Sequence, residues 1–235
     1  MNRYEMTPES AFTTPYAADE RVTAFLRSVY GWMAVGLSVT AAVAWLVAGF
    51  PEAVVTIARN RALLWGLMLA QLGIVVWLSA RVQTMAAGTA SMLFLLYSGL
   101  TGVTLSFVLL AYTGESVATT FFVTAGTFGA LAAYGTVTKR SLAGWGQFLF
   151  MGLIGVVIAS VVGMFWHNDG FQFVLSFIGV ILFTGLTAYD AQRLKTMALA
   201  TGGQAGAYSI AGALTLYLDF INLFLFLLRF MGRRR

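Results

Sequence analysis

The chain alternates between long apolar stretches and short polar breaks. Seven of the apolar stretches are long enough to be membrane-spanning helices: residues 29–50, 62–80, 88–111, 117–137, 144–166, 171–195 and 209–231. Each is close to the roughly 20 residues that cross about 30 Å of hydrocarbon, and helices of this length satisfy their own backbone groups in lipid. The pattern therefore predicts an all-α, polytopic integral membrane protein with a seven-transmembrane-helix bundle.

The two ends of the chain are polar. Residues 1–28 carry charges of both signs and two of the three prolines, and are predicted to form a polar N-terminal tail. This segment lacks the short apolar stretch of a cleavable signal peptide. Residues 29–231 are predicted to form a single membrane domain, followed by a basic C-terminal tail at residues 232–235.

Basic residues indicate the orientation in the membrane. In a seven-span arrangement eight of them fall on the N-terminal side: Arg3, Arg21, Arg27, Arg81, Lys139, Arg140, Arg193 and Lys195. Six fall on the other side: Arg59, Arg61, Arg229, Arg233, Arg234 and Arg235. If the last segment were re-entrant, twelve basic residues would lie on the N-terminal side of the membrane and two on the other side. Both versions favour a cytoplasmic N-terminus and leave the side of the C-terminus open.

The amino-acid composition excludes several kinds of functional site. The chain is 59% hydrophobic and 10% charged, whereas soluble domains carry about a quarter charged residues. The absence of cysteine excludes disulfides, thiolate metal sites and cysteine nucleophiles. The one histidine, His167, is interpreted as a solvated loop residue. Much of the net charge of +5 comes from the terminal arginines, so it is expected to set orientation or contact anionic lipid rather than nucleic acid.

Two acidic residues lie inside the predicted spans, Asp190 near the end of the sixth and Asp219 in the middle of the seventh. An ionised aspartate at the membrane centre costs about 2.5–3.5 kcal/mol even on insertion-based scales. Such residues usually face the interior of a bundle and mark an ion or proton path. Asp190 and Asp219 are therefore the main candidates for a functional site.

The spacing of the two aspartates predicts that they meet. A glycine-rich turn at residues 202–206 separates their helices, and Gln204 within it lies 14 residues after Asp190 and 15 before Asp219. Antiparallel helices joined there would place both acids at similar depth. Their helix faces carry further polar residues: Thr187 and Arg193 on the sixth span, and Thr215, Asn222 and Arg229 on the seventh.

Paired carboxylates in a low dielectric do not both ionise easily, so the pair is expected to share a proton near neutral pH. Hard oxygen ligands also suit a divalent cation such as calcium, which prefers six to eight of them. Asp190 and Asp219 would then bind calcium transiently, with water, carbonyls, Asn222 or threonine hydroxyls completing the shell. In the alternative interpretation, Arg81, Arg193 or Arg229 neutralises each acid and the residues only hold helices together.

Three stretches of the sequence carry a family resemblance. They are Leu186–Lys195 (LTAYDAQRLK), Leu214–Phe224 (LTLYLDFINLF) with Leu227–Phe230 (LLRF) behind it, and Thr127–Arg140 (TFGALAAYGTVTKR). With these residues the chain resembles the transmembrane Bax inhibitor-1 family, over about residues 20 to 232. The C-terminal stretches are the specific part of the match.

The resemblance implies a seven-helix, pH-sensitive calcium leak channel in which two aspartates on the last two helices exchange a proton. Asp190 and Asp219 occupy those motif positions. The family also has an arginine near the end of the second helix that latches the closed state, and Arg81 is the candidate, although it lies further beyond Trp77 than in the bacterial pattern. The resemblance implies a bacterial inner-membrane location, no cofactor, and calcium as the permeant ion.

Two other functions remain open. Bacterial relatives are linked to a membrane-bound ATP-dependent protease as bound modulators, so the chain could instead be a non-catalytic interaction protein. An intramembrane aspartyl protease also pairs two acids on neighbouring helices, but requires Gly-x-Gly-Asp where this chain has Tyr217-Leu218-Asp219. Phosphate-loop, nucleophile-elbow and metalloprotease motifs are absent from the sequence. The chain is therefore not expected to be an enzyme.

Overall fold

All the long secondary-structure elements in the described part of the chain are helices. A computed structural model describes residues 15–82, 84–166, 168–200 and 206–235. The helices are α1 (Pro15–Ala48), α2 (Pro51–Arg59), α3 (Arg61–Arg81), α4 (Ala87–Ala111), α5 (Gly114–Val137), α6 (Gly146–Phe165), α7 (Asp169–Ala200) and α8 (Gly206–Met231), with a single 3-10 turn at Ala143–Trp145 before α6. Outside the described residues lie residues 1–14 of the predicted polar tail, His167, and residues 201–205, which include all but Gly206 of the predicted glycine-rich turn.

Every helix except α2 contributes a segment long and apolar enough to cross a membrane, which confirms the predicted seven-helix architecture. The last of them, α8, is one continuous helix of 26 residues. At 1.5 Å per residue it extends about 39 Å, more than the hydrocarbon thickness of a bilayer. This length fits a full crossing rather than a re-entrant segment.

The first helix begins earlier than the sequence pattern predicted. Helix α1 starts at Pro15, within the segment interpreted as a polar tail, and proline is well suited to a first turn because its missing N–H has no helical partner there. The residues that follow include buried apolar side chains three or four positions apart: Val22, Phe25, Leu26 and Val29. This helical spacing packs the start of α1 against the bundle.

A short helix was not predicted between the first two spans. Helix α2 begins at Pro51, and Val54 is its buried residue. It ends at Arg59, and the side-chain Oδ1 of the next residue, Asn60, accepts hydrogen bonds from the backbone N–H groups of Ala62 and Leu63. Asn60 therefore follows α2 directly and caps the first turn of α3.

Helix α8 is the most buried of the spanning helices. It packs against α1, α4, α5 and α7, whereas α3 packs mainly on α4 and α6 packs on α7. Asp219 lies in the middle of α8 and is therefore enclosed by protein rather than lipid. The acid on α7, Asp190, faces the same interior because α7 is the neighbour with the most extensive contact to α8.

Close helix approach depends on small residues. A Cβ atom added at Gly135 of α5 would overlap the backbone carbonyl of Ala188 on α7. At Gly102 of α4 an added Cβ would lie 2.7 Å from the Thr40 carbonyl oxygen of α1. Both contacts are with backbone, which cannot rotate away as a side chain does. These two glycines therefore set the distances between α5 and α7 and between α4 and α1.

The Gly135→Ala substitution is expected to destabilise the protein by about 1–3 kcal/mol, because the added methyl group must push α5 away from α7. Gly129→Ala on the same helix is the matched control, since an added Cβ there meets no atom within 4 Å. Thermal unfolding of the two purified variants in detergent measures the difference. Equal melting temperatures would show that the close approach at Gly135 does not control stability.

Candidate functional site

Asp190 and Asp219 lie side by side in the interior of the bundle. Asp190 on α7 is 7% exposed and Asp219 on α8 is 4% exposed. Their carboxyl groups are close enough to form a side-chain hydrogen bond with each other. We refer to these two residues as the carboxyl pair.

The carboxyl pair requires a proton for its hydrogen bond. Ionised carboxylates only accept hydrogen bonds, so one member must carry the proton that it donates to the other. One oxygen of Asp219, Oδ2, is buried and has no hydrogen-bond partner within the described residues, the only buried side-chain nitrogen or oxygen there without one. An acceptor left in this state is costly unless something else uses it, because burial has removed its water.

The three candidate arginines are placed differently with respect to the pair. Arg193, three residues beyond Asp190 on α7, is exposed and acts electrostatically on Asp190. Arg81 is exposed in the last turn of α3. Arg229 donates from Nη1 to Gln172 Oε1 at 3.3 Å and lies 5.8 Å from the ring centroid of Phe226. The charged group that acts on Asp219 is Asp190 itself.

Three polar residues of the predicted site hydrogen-bond to their own helices. Thr187 Oγ1 donates to the Phe183 carbonyl at 2.7 Å, and Thr215 Oγ1 donates to the Ala211 carbonyl at 3.2 Å. Asn222 Nδ2 donates to the Leu218 carbonyl at 2.8 Å. These bonds use hydrogens and leave oxygen lone pairs as acceptors. The residues therefore keep the oxygen-ligand capacity that the sequence pattern suggested.

The carboxyl pair provides only part of a set of metal ligands. Among the described residues there is no group of three or more histidine, cysteine, aspartate or glutamate side chains placed to hold a metal ion. Two carboxylates fall well short of the six to eight oxygens of a stable calcium site. A cation at the carboxyl pair would be held transiently.

A cavity of about 610 Å³ lies among α3, α6, α7 and α8, and neither aspartate of the carboxyl pair lines it. Asn222 lines it and lies three residues, about 4.5 Å along α8, from Asp219. Asp169, Arg229 and Arg234 line it near the ends of their segments. Sequence reasoning missed the contributions of Ser160 on α6 and Gln172 on α7, although both are polar residues within apolar stretches.

A buried hydroxyl network fixes the other side of α8. The Thr40 hydroxyl donates to the Ser98 carbonyl at 2.9 Å and accepts from the Tyr217 hydroxyl at 2.6 Å. Tyr217 precedes Asp219 by two residues, a rotation of about 200° around the helix. Tyr217 is fully buried, and the rings of Phe94 and Tyr97 meet it edge-on. Holding Tyr217 against α1 and α4 turns Asp219 towards α7.

These features define a polytopic helical membrane protein with an interior carboxyl pair. The family model described as Inhibitor of apoptosis-promoting Bax1 matches residues 22–235, nearly the whole chain. The chain belongs to this family, as the sequence resemblance predicted.

Similar proteins come from bacteria of several genera. The chain is 51% identical over 215 residues to Inner membrane protein YbhL of Escherichia coli K12, covering 90% of this chain and 92% of that protein. It is 44% identical over 217 residues to an uncharacterized protein of Deinococcus radiodurans, covering 92% and 93% of the two chains. An uncharacterized protein of Borreliella burgdorferi is 42% identical over 214 residues, covering 90% and 92%.

The Tyr217→Phe substitution is expected to destabilise the protein by about 1 kcal/mol, because the Thr40 hydroxyl loses its partner. Thr40→Val removes the other half of the interaction, and the double variant should be less destabilised than the sum of the two single changes. Thermal unfolding in detergent measures the coupling, with the exposed Tyr134→Phe as control. Additive effects would show that the two hydroxyls do not stabilise each other.

Proposed function

We propose that this protein is a pH-sensitive leak channel for calcium, gated by the proton-sharing pair Asp190 and Asp219. The observation that carries the proposal is the buried, unpartnered Oδ2 of Asp219 beside a second carboxyl group. This arrangement presents oxygen ligands in the membrane interior without the basic partner that a purely structural ion pair would have at Asp219.

The cost of burying two acids in the membrane favours a site that binds protons or cations over a purely structural contact between helices. An ionised aspartate at the membrane centre costs about 2.5–3.5 kcal/mol, and two adjacent ones would also repel each other. A single shared proton reduces the charge of the pair, and a divalent cation compensates it fully. The pair therefore has two occupied states, protonated and cation-bound, that compete for the same oxygens.

The surroundings support a passing cation rather than a permanently bound one. Thr187, Thr215 and Asn222 offer further neutral oxygens on the same two helices, and water would complete a calcium shell. We propose that the cavity lined by Asn222, which lies about one helical turn from Asp219 on α8, forms part of the ion route between the carboxyl pair and one membrane surface. Calcium is then the transported ion, and the chain itself is neither an enzyme nor dependent on a cofactor.

The charge distribution supports the orientation that we propose. The N-terminus is assigned to the cytoplasm by the excess of basic residues on its side. Seven crossings then place the C-terminal arginines on the opposite side of the membrane. The name of the Escherichia coli relative supports a location in the inner membrane.

Calcium flux into proteoliposomes across pH 6 to 8 tests this function. The wild-type protein is expected to show a pH-dependent leak, Asp219→Asn to lose the pH dependence because Asn does not titrate, and Asp190→Asn to alter gating. Glu52→Gln, an exposed acid on α2, is the matched control and should behave like wild type. Unchanged flux and pH profile in both aspartate variants would refute the proposed mechanism.

Calcium affinity provides a second measurement that does not require an open pore. Because protons and calcium compete for the same carboxylates, calcium affinity should rise as the pH is raised, and Asp219→Asn should weaken binding and flatten this dependence. The quantity to measure is calcium-dependent protection from thermal unfolding at pH 6 and pH 8. Equal protection of wild type and Asp219→Asn would remove the carboxyl pair from the cation site.

A complete absence of leak above empty vesicles would favour the alternative function. The chain would then act as a non-catalytic modulator bound to a membrane protease, and deletion of its tails rather than Asp219→Asn should remove the cellular phenotype. The two outcomes are distinguishable because they depend on different parts of the chain.

A further inference from the structure

A larger cavity lies among α1, α4, α5 and α8, apart from the carboxyl pair. It has a volume of about 930 Å³ and is lined mainly by apolar side chains, among them Leu105, Phe121 and Phe224. Thr40 and Arg235 are the polar and charged residues of its lining. We call this cavity the apolar groove.

The apolar groove has the length of one bilayer leaflet. Along α1 its lining runs from Leu37 to Ala48, which is about 16 Å at 1.5 Å per residue. The hydrocarbon of one leaflet is about 15 Å thick. Trp45 on α1 and Phe122 on α5 line the groove and are 74% and 73% exposed, so the groove opens sideways to lipid.

The chain terminus holds positive charge at one end of the groove. The Arg235 backbone N–H donates to the Ala111 carbonyl at 3.0 Å, and the Thr113 N–H donates to the Arg233 carbonyl at 3.1 Å. The Arg233 N–H also donates to Ser116 Oγ at 2.9 Å. These bonds fasten the terminal arginines to the turn between α4 and α5, where Glu115 is the acid of the first α5 turn.

We propose that the apolar groove binds an anionic glycerophospholipid, with an acyl chain along the groove and the headgroup phosphate at Arg235 and Arg233. Membrane lipid is as apolar as the groove lining, so burial of a chain there does not by itself distinguish one lipid from another. The arginines provide the selection, because they attract a negatively charged headgroup more strongly than a zwitterionic one. The proposal does not depend on the leak function.

The shape of the groove favours a lipid over a partner helix. A transmembrane helix of a second protein would need a surface through the full thickness of about 30 Å. The groove lining along α1 instead stops at Leu37, near the middle of the helix. A lipid of one leaflet fits this half-length site, and its headgroup reaches the end that carries positive charge.

The test measures thermal unfolding of the full-length protein in detergent with added phosphatidylglycerol or with phosphatidylcholine of the same acyl chains. Phosphatidylglycerol at about four times its Kd is expected to raise the wild-type melting temperature by about 2–4 °C more than phosphatidylcholine does. The double variant Arg233→Gln/Arg235→Gln should lose this difference. The control Arg59→Gln/Arg61→Gln, which removes two charges from the same end of the bundle, should keep it.

A second pair of variants tests the groove itself. Ala118→Trp fills the groove and should reduce the effect of phosphatidylglycerol, whereas Thr119→Trp, at the adjacent exposed position outside the groove lining, should not. Brominated phosphatidylglycerol gives a measurement that does not need the groove-filling variant. It should quench the tryptophan fluorescence of the wild type more than that of Trp45→Phe. Each variant is first compared with wild type without lipid to establish that it is folded.

Four results would overturn the proposal. Equal stabilisation of the wild type by both lipids would show that the groove does not select the headgroup. Loss of the difference between the two lipids in both double arginine variants would show that the difference comes from general surface charge. Full retention of the phosphatidylglycerol effect in Ala118→Trp, together with equal quenching of wild type and Trp45→Phe, would place the lipid elsewhere. A dimer in detergent that Ala118→Trp dissociates, without a lipid effect, would identify a second copy of the chain as the occupant.

Discussion

The burial of Asp219 in the middle of α8 is the constraint on which the rest of the structure depends. A carboxyl group in the membrane interior must be surrounded by protein that can share its charge or its proton. Helix α8 is accordingly enclosed by α1, α4, α5 and α7. The more peripheral helices, α3 and α6, carry mainly apolar surfaces towards lipid.

The two sides of α8 make different contacts. On one side Asp219 meets Asp190 of α7, and on the other Tyr217 binds Thr40 of α1. The hydroxyl network has its hydrogen bonds satisfied, which stabilises one rotation of the helix. In the carboxyl pair, Oδ2 of Asp219 is buried without a hydrogen-bond partner among the described residues, which makes the pair the candidate site for binding a proton or a cation.

Two cavities border α8. One is lined by Asn222, about one helical turn from Asp219, and by Arg229 in the last turn of α8. The other cavity is the apolar groove, whose lining includes Phe220, Ile221 and Phe224 of α8 together with Arg235. Helix α8 therefore contributes to the walls of both cavities.

The sequence alone determined the seven spans, the two acidic residues within them and their similar depth, since hydropathy and helical spacing are local properties of the chain. It did not predict the early start of α1, the helix α2, or the Thr40–Tyr217 bond, which joins residues 177 positions apart. The arginine candidates show the same limit. The sequence offered Arg81, Arg193 and Arg229 as partners of the two acids, and among the described residues Arg193 is the one that acts on Asp190, whereas Arg229 contacts Gln172. Tertiary structure decided these contacts because helix rotation and helix neighbours depend on the shapes of all the packed surfaces together.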